Sequence, residues 1–501
     1  MPTPSFNLGR PQDGPSGPHS AASCLRPRQW QHQLIQLLRR RLVQQSSGPC
    51  DVLIHAGPGA GKTLGALLGF QQLHREGRLR HFAVFCHRSS IAQQWLEAAE
   101  RLGLRLRAWQ PGLMAEANAG PETADGLLLT YQAAGRHLAQ LEHLLGSNVE
   151  PWLAIADEVH HLGLDPEEPE ASAWGQAFSR LSAAADLRLG LTGTPFRADN
   201  LAFCAARRVR VHDGQEWVEQ ITPDLSVEPR ELIAAGDVRP LEFRFQDGWV
   251  DHGRLGETLE ESRTVAVGTN ERSPLSLEQR ESWRARNLRR AISLGDSSSI
   301  ALRVLLGARR RLELVRRQHP GAGGLVIARN IAHARRLCGL LEEEGDRVLL
   351  VHSQDPDASE RLQAFKAGEA DWLVSIDMCA EGFDAPRLRV VAYLTTVVTR
   401  TRFVQAITRA VRLDGERAGL ESLPRHPSYV FAPADPLLMQ IARTWSLSEP
   451  YVLRQRLSDA VADASVGPGH SGSVPLQALE DGAGAVIPVR GPQLPNFLMQ
   501  R

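Results

Sequence analysis

The sequence predicts an α/β protein of two tandem domains, each a parallel sheet flanked by helices, joined by a partly helical connector. Three observations predict it. Short apolar runs alternate with stretches of helical period between residues 51 and 193, the alternation resumes near residue 323, and the pattern weakens in between. The chain is also too long, at 501 residues, for one hydrophobic core of ordinary size.

The elements follow in order. DVLIHAG from residue 51 reads as a strand, Thr63 to Gln72 as a helix, HFAVFCH as a strand and Ile91 to Leu102 as a helix. GLLLTYQ, WLAIADE and LRLGLTG then supply three more apolar runs. In the second half, GGLVIARN, a helix through HARRLCGLLEEE, RVLLVHS, DWLVSID and LRVVAYL repeat the pattern. Arginines gather in the weak middle, among them Arg284, Arg286, Arg289, Arg290, Arg303, Arg309, Arg310, Arg311, Arg316 and Arg317. They fit either solvated helix faces or a path for nucleic acid. The expected boundaries are a flexible segment over 1–23, a first domain over 24–225, a connector over 226–320, a second domain over 321–440 and a partly disordered tail over 441–501.

Lysine plus arginine equals aspartate plus glutamate at 57 each, so attraction for a polyanion has to come from a local groove and not from bulk charge. Lys62 and Lys366 are the only lysines, and the first lies within the glycine-rich stretch AGPGAGKT. Six scattered cysteines without a CxxC pair argue against zinc and against a disulfide scaffold, and fit a reducing cytosol. No apolar signal core or membrane-spanning run is present, so a soluble, cytoplasmic chain with no membrane partner is expected.

The chemistry concentrates at a few strings. A strand ending at Ala56 runs into Gly57, Pro58, Gly59, Ala60, Gly61, Lys62 and Thr63, followed by a helix-compatible run. That is the context of a phosphate loop: glycines let backbone N–H groups surround phosphates, the lysine neutralises charge, and the threonine hydroxyl reaches Mg2+. WLAIA ends in Asp157 and Glu158, two carboxylates where α/β sheets place their ligands. Asp157 is suited to hold Mg2+ through water and Glu158 to orient and deprotonate an attacking water. His160 follows as a link to the next motif, with His161 given no role. Gln405, Arg409 and Arg412 stand four and three residues apart, so one helical face would present all three.

Taken in this order, AGPGAGKT, DEVH, LTGTP and QAITRAVR resemble motifs I, II, III and VI of superfamily 2 helicases of the DEAD/DEAH-box type. The resemblance spans residues 25 to 412 and implies two RecA-like P-loop NTPase domains with ATP in the cleft between them. Under it, LRPRQ is similar to the upstream motif that recognises adenine, which selects Gln29. VSIDMCAEGFDAPRL resembles motif V, with Gly382 and Asp384 beside the nucleotide. Lys62, Asp157, Glu158, Gln405, Arg409 and Arg412 become the catalytic set, with Arg409 and Arg412 as arginine fingers, and Thr63 and Asp157 the metal ligands. His160, Thr192 and Thr194 would transmit nucleotide state. His87, Arg88, Ser89, Thr130, Tyr131, Arg329 and Asn330 would face nucleic acid.

ITPDLSVEPRELIAAGDVRPLEFRF further resembles the connector of helicases related to type I and III restriction motor subunits and to RadD-like bacterial DNA helicases. Those relatives favour DNA over RNA as the polymer. The cysteine-rich zinc element of the RadD kind is missing and no nuclease motif is apparent. The resemblance implies an ATP-dependent helicase or translocase with ATP and Mg2+ as cofactors. A partner-gated ATP switch in a repair, restriction or defence assembly is the other reading, and a metabolic kinase the third.

Overall fold

Seven apolar strands need cover on both faces, and the chain provides it by returning through a helix after most of them. The structure is a computed structural model that describes residues 27–43, 50–87, 89–111, 124–146, 150–162, 171–193, 207–212, 217–247, 277–295, 299–376, 383–413, 421–445, 452–453 and 486–490. In chain order the first half comprises α1 (Gln29–Val43), β1 (Cys50–Ala56), α2 (Lys62–Arg75), β2 (His81–Cys86), α3 (Ser89–Arg101), β3 (Leu106–Ala108) and β4 (Gly126–Thr130). It continues with α4 (Tyr131–Arg136), α5 (Leu138–Gly146), β5 (Trp152–Asp157), α6 (Ala171–Leu181), β6 (Leu187–Thr192), β7 (Arg207–His212), β8 (Trp217–Thr222) and β9 (Leu225–Val227).

The first sheet runs β3-β4-β2-β5-β6-β1-β9, and its strands pair in parallel throughout. Every residue of β5 and β6 is buried, which is why WLAIAD and LRLGLT carry almost no polar side chain. Helix α1 buries Trp30, Gln31, Leu34, Ile35 and Leu38, a stripe at three- and four-residue spacing. The register sets Asp157 opposite Leu191 and His55 opposite Thr192, so the carboxyl ends of β5, β6 and β1 lie side by side. That alignment builds the site.

After α7 (Pro229–Ala234) the chain crosses to the second sheet, where β10 (Leu241–Gln246) is an internal strand. Then come α8 (Leu277–Ala291), α9 (Ile300–Arg316), β11 (Gly323–Ala328), α10 (Ile331–Glu343), β12 (Val348–Val351), α11 (Ala358–Ala367), β13 (Trp372–Ser375), β14 (Leu388–Leu394), α12 (Arg400–Ile407), β15 (Ser428–Pro433) and α13 (Pro436–Thr444). The last elements are β16 (Val452–Leu453) and β17 (Val486–Arg490). The second sheet is ordered β12-β13-β11-β14-β15-β10-β17 and is parallel except for β17, which pairs antiparallel to β10. A small antiparallel sheet, β16-β8-β7, was not legible in the sequence, and neither was the strand that the tail adds at β17.

The arginine-rich stretch also resolves into particular contacts. Helix α9 buries an apolar stripe from Ile300 to Val315, while Arg284 pairs with Asp435 at 2.9 Å and Arg309 with Asp346 at 2.7 Å. Arg316 reaches Asp371 at 2.8 Å, and Arg311 stacks over the Tyr429 ring. Much of this basic charge therefore fastens helices to the second domain.

Close packing across the second sheet gives a direct test. A Cβ at Gly324 would lie 2.3 Å from the Trp372 ring. Gly324→Ala is expected to destabilise the chain by about 1–3 kcal/mol through overpacking, read as a lower urea midpoint.

Candidate active site

The phosphate loop is shaped by its backbone. Gly59 and Gly61 both adopt φ of +80°, a left-handed conformation that side chains with a Cβ resist, and Lys62 opens α2 directly behind them. Three residues at the start of α1, one just ahead of it and two in its first turn, hold three loop carbonyls. Arg28 Nη1 donates to Gly59 O at 2.6 Å, Trp30 Nε1 to Ala60 O at 3.0 Å and Gln31 Nε2 to Gly61 O at 3.1 Å. Gln29 itself is exposed. The upstream motif thus meets the loop through Arg28, Trp30 and Gln31, contacts the sequence did not single out. The signal was there in alternate form: a glutamine and an indole on the buried stripe of α1 need partners.

At the end of β5 the two acids diverge. Asp157 is buried, receives Trp95 Nε1 on Oδ2 at 2.8 Å and Glu158 N–H on Oδ1 at 3.0 Å. Burial and then the neighbouring Glu158 charge push its carboxyl up to about 6. Glu158 stands at φ 49°, the one non-glycine residue in the left-handed region among the described residues. Such a conformation persists where surroundings hold it, and it marks functional geometry. Here Lys62 Nζ lies 3.1 Å from Glu158 Oε1, and Gly193 N–H donates to Oε2 at 3.2 Å. Gly193, from the TGTP string, is therefore the residue that joins this motif to Glu158, and a Cβ there would sit 2.6 Å from Lys62 Nζ.

The opposite wall comes from the second half. Arg412 pairs with Asp384 at 2.9 Å, and Arg409 Nη1 donates to Phe383 O. Burial alone would raise the Asp384 carboxyl, but Arg412, with Arg409 and Lys366 beyond it, holds it below its ordinary value. The expectation of one helical face over 405–412 needs correction, because α12 stops at Ile407 and residues 408–411 form turns. Beyond Ile407 the backbone tightens into three-residue turns, with Arg409 N–H on Ala406 O and Ala410 N–H on Ile407 O, and the next carbonyls are held from a distance: Ser428 Oγ donates to Ala410 O, Arg239 N–H to Val411 O and the Arg239 side chain to Arg412 O. Gln405, Arg409 and Arg412 nonetheless all line the same cleft.

That cleft encloses about 950 Å³ between the Gly57–Thr63 loop, Asp157, Glu158 and Gly193 on one side and Asp384, Gln405, Arg409 and Arg412 on the other. His161, given no role by the sequence, lines it and packs its ring on His87 with centroids 4.0 Å apart. The site fits a magnesium nucleotide by its donor set: left-handed glycines that open a backbone cradle, one lysine, and a buried acid whose charge wants a cation. Among the described residues no group of three or more His, Cys, Asp or Glu could hold a metal ion by itself.

Other expected site residues are placed as follows. His87 and Tyr131 are turned into the core, at 5% and 0% exposure, and Tyr131 OH donates to Asp157 O at 2.8 Å. Thr130 caps α4 by accepting from Ala133 N, and Asn330 caps α10 by accepting from His333 N. Arg329 is exposed, and Thr192 is buried at the end of β6. Arg88, Thr194 and Gly382, with the side chains of Ser89 and His160, lie outside the described residues.

Comparison with known proteins agrees with this arrangement. Residues 24–197 match the family of type III restriction enzyme res subunits, and residues 308–414 match the helicase conserved C-terminal domain. The chain is 32% identical over 469 residues to the uncharacterized protein Rv2917 of Mycobacterium tuberculosis (strain ATCC 25618 / H37Rv), covering 90% of this chain and 70% of that one. A fragment assigned to an HsdR subunit of a type I restriction enzyme from Vibrio vulnificus YJ016 has a TM-score of 0.51 at 17% identity, over 85% of this chain and 67% of its own. The ATP-dependent Type ISP restriction-modification enzyme LlaBIII, bound to DNA, has a TM-score of 0.50 at 14% identity, over 81% of this chain and 27% of its own. At such identities these two likenesses bear on the fold alone.

The chain belongs to the superfamily 2 helicases, in the group that includes the type III restriction enzyme res subunits, and its two halves are RecA-like domains. No helix among the described residues is long and apolar enough to cross a membrane.

Two outcomes test the geometry. Lys62→Ala should remove the one cation that the loop places beside Glu158 and weaken nucleotide binding by about tenfold, about 1.4 kcal/mol, measured by fluorescent-nucleotide titration. The Asp157 carboxyl lies above its ordinary value of 3.8, so its neutral form is the better tolerated one in the fold. Its contribution to stability is full below pH 3.8 and is lost as pH rises through about 6. Thermal melts of the metal-free chain should show this component, and Asp157→Asn should remove it.

Proposed function

We propose that this chain is an ATP-hydrolysing motor that moves along nucleic acid, with DNA preferred over RNA. The observation that carries the reading is convergence: Lys62, Asp157 and Glu158 from one domain and Arg409 and Arg412 from the other line a single cleft. A reaction that needs both walls is completed only when the domains are together, so turnover and domain movement become one cycle.

In this reading backbone N–H groups at Gly59 and Gly61 receive the phosphates, beside Gly57, whose own N–H donates to Val227 O at 3.2 Å, and Lys62 leaves Glu158 to neutralise them. Thr63 and Asp157 would hold Mg2+, whose positive charge would assist the reaction at the phosphates. Glu158, released from Lys62, takes a proton from water as that water attacks the γ-phosphorus and ADP departs. Arg409 and Arg412 stabilise the charge that builds on the transferred group. Gln405 positions the same face, Gly382 and Asp384 stand beside the ribose, and Gln29 serves the adenine edge. His160, Thr192 and Thr194 carry nucleotide state onward.

Arg88, Ser89, Thr130, Arg329 and Asn330 would contact the polymer backbone, with His87 and Tyr131 supporting that face from inside. The preference for DNA is supported by the connector's resemblance to restriction motor subunits and by LlaBIII, a DNA-bound protein of similar fold. A cytoplasmic repair, restriction or defence assembly is the setting that this class of motor suits.

Steady-state ATP hydrolysis with single-stranded DNA, double-stranded DNA and RNA, against Lys62→Ala as blank, tests the motor. Stimulation by DNA is expected, and hydrolysis indifferent to every polymer would instead favour a partner-gated switch. Glu158→Gln should bind ATP while turnover falls by about 10² or more. Arg412→Ala should lower turnover by about 10³; a wild-type rate would remove it as a finger. It is a cleaner test than Arg409→Ala, since Arg409 also holds Phe383 O.

A further inference from the structure

Asp157 is gripped from three sides. Its carboxylate accepts from Trp95 Nε1 at 2.8 Å and from Glu158 N–H at 3.0 Å, and its carbonyl accepts from Tyr131 OH at 2.8 Å. Trp95 and Tyr131 are both fully buried, at 0% exposure. Ordinary satisfaction of a core indole does not account for the first bond. Trp109, Trp152, Trp372 and Trp445 keep buried indole nitrogens that have no hydrogen-bond partner among the described residues.

Where the two aromatics come from is the informative part. Trp95 lies on α3, which begins at Ser89 directly after β2, and Tyr131 is the first residue of α4, directly after β4. β2 and β4 are neighbours, with Cys86 opposite Thr130, and β2 also pairs with β5, with Phe85 opposite Ala156. The two helices that open at the expected polymer face thus each send one polar aromatic tip back to the same acid. Gln94, Glu97, Ala98 and Arg101 of α3 line the nucleotide cleft as well. A helix that borders the cleft and donates to the metal-binding carboxylate cannot shift without moving that carboxylate.

We propose that Trp95 and Tyr131 are positioning residues that orient Asp157 toward Mg2+ and transmit polymer engagement at the starts of α3 and α4 to the ATP site. This rests on the motor reading above. A polymer engaging the face where β2 and β4 end would seat α3 and α4, and the indole N–H and phenol O–H would then fix the carboxylate and carbonyl of Asp157. Partners that orient a metal ligand in this way commonly govern metal affinity or activity by about 10–100-fold.

The test uses the full chain with Trp95→Phe and Tyr131→Phe, which delete one donor each and keep the aromatic bulk, and Trp445→Phe as a buried indole remote from Asp157. Mn2+ binding to the ADP complex, followed by electron paramagnetic resonance, should weaken by about tenfold in the first two variants and not in the third. Poly(dT) should bind all three as it binds wild type, while the ratio of stimulated to basal hydrolysis falls toward unity in the first two. Tyr131→Phe removes a single oxygen and carries the same expectation should Trp95→Phe fold poorly. Unchanged Mn2+ affinity and an unchanged ratio in both variants, beside a wild type that poly(dT) stimulates, would overturn this proposal alone. A wild type that hydrolyses ATP without response to poly(dT), duplex DNA or poly(U) would overturn the coupling together with the motor reading.

Discussion

Two adjacent acids at the end of a buried strand repel one another, and Asp157 bears that repulsion on top of its own burial. Much of the first domain answers this one constraint. Lys62 comes across from the phosphate loop to Glu158, Gly193 turns its N–H to the other oxygen, and Trp95 and Glu158 N–H supply donors to Asp157. The parallel sheet makes these meetings possible, because β5, β6 and β1 are neighbours whose carboxyl ends are aligned.

The same economy appears where the domains meet. Arg28 donates to Gly59 O and, from its other end, to Asp237 O at 3.2 Å. Two residues on, Arg239 donates to Pro386 O at 2.9 Å and to Arg412 O, and pairs with Glu421 at 2.6 Å. The segment Asp237 to Arg239 therefore touches the phosphate loop's brace on one side and the arginine-bearing turn on the other. Val238 also lies against Gly59, where a Cβ would approach it to 3.1 Å. Guanidinium groups suit this task, since one planar fork can serve several carbonyls at once.

Legibility in the sequence followed the range of the interaction that decides each feature. Strands β1, β2, β4, β5 and β6 of the first large sheet and β11, β12, β13 and β14 of the second were readable because burial leaves a local apolar pattern. The Gly57 to Thr63 loop was readable because left-handed glycines followed by a lysine leave few alternatives. The turns that follow α12 were not, since they are fixed from far away in the chain, by Ser428 on Ala410 O and by Arg239 on Val411 O and Arg412 O. Nor were the antiparallel strands β7, β8, β16 and β17: β16 has two residues, β17 carries a proline, and charged residues in β7 and β8 interrupt the continuous apolar run that marks the buried parallel strands. His87 and Tyr131 looked like loop residues available to a polymer and proved to be core, because a residue just past a strand can turn inward without changing the pattern around it.

By itself the sequence determined two α/β halves, a phosphate loop, a pair of acids at a strand end and arginines near residue 410, since each is written in contiguous residues whose spacing local physics constrains. Only the tertiary structure decided that Gly193 meets Glu158, that Trp95 and Tyr131 hold Asp157, and that Arg28 and Arg239 tie the connector to both walls of the cleft. Those partners are brought together by sheet order and chain crossing, and a hydrogen bond between residues so far apart in sequence leaves no periodic trace in the chain.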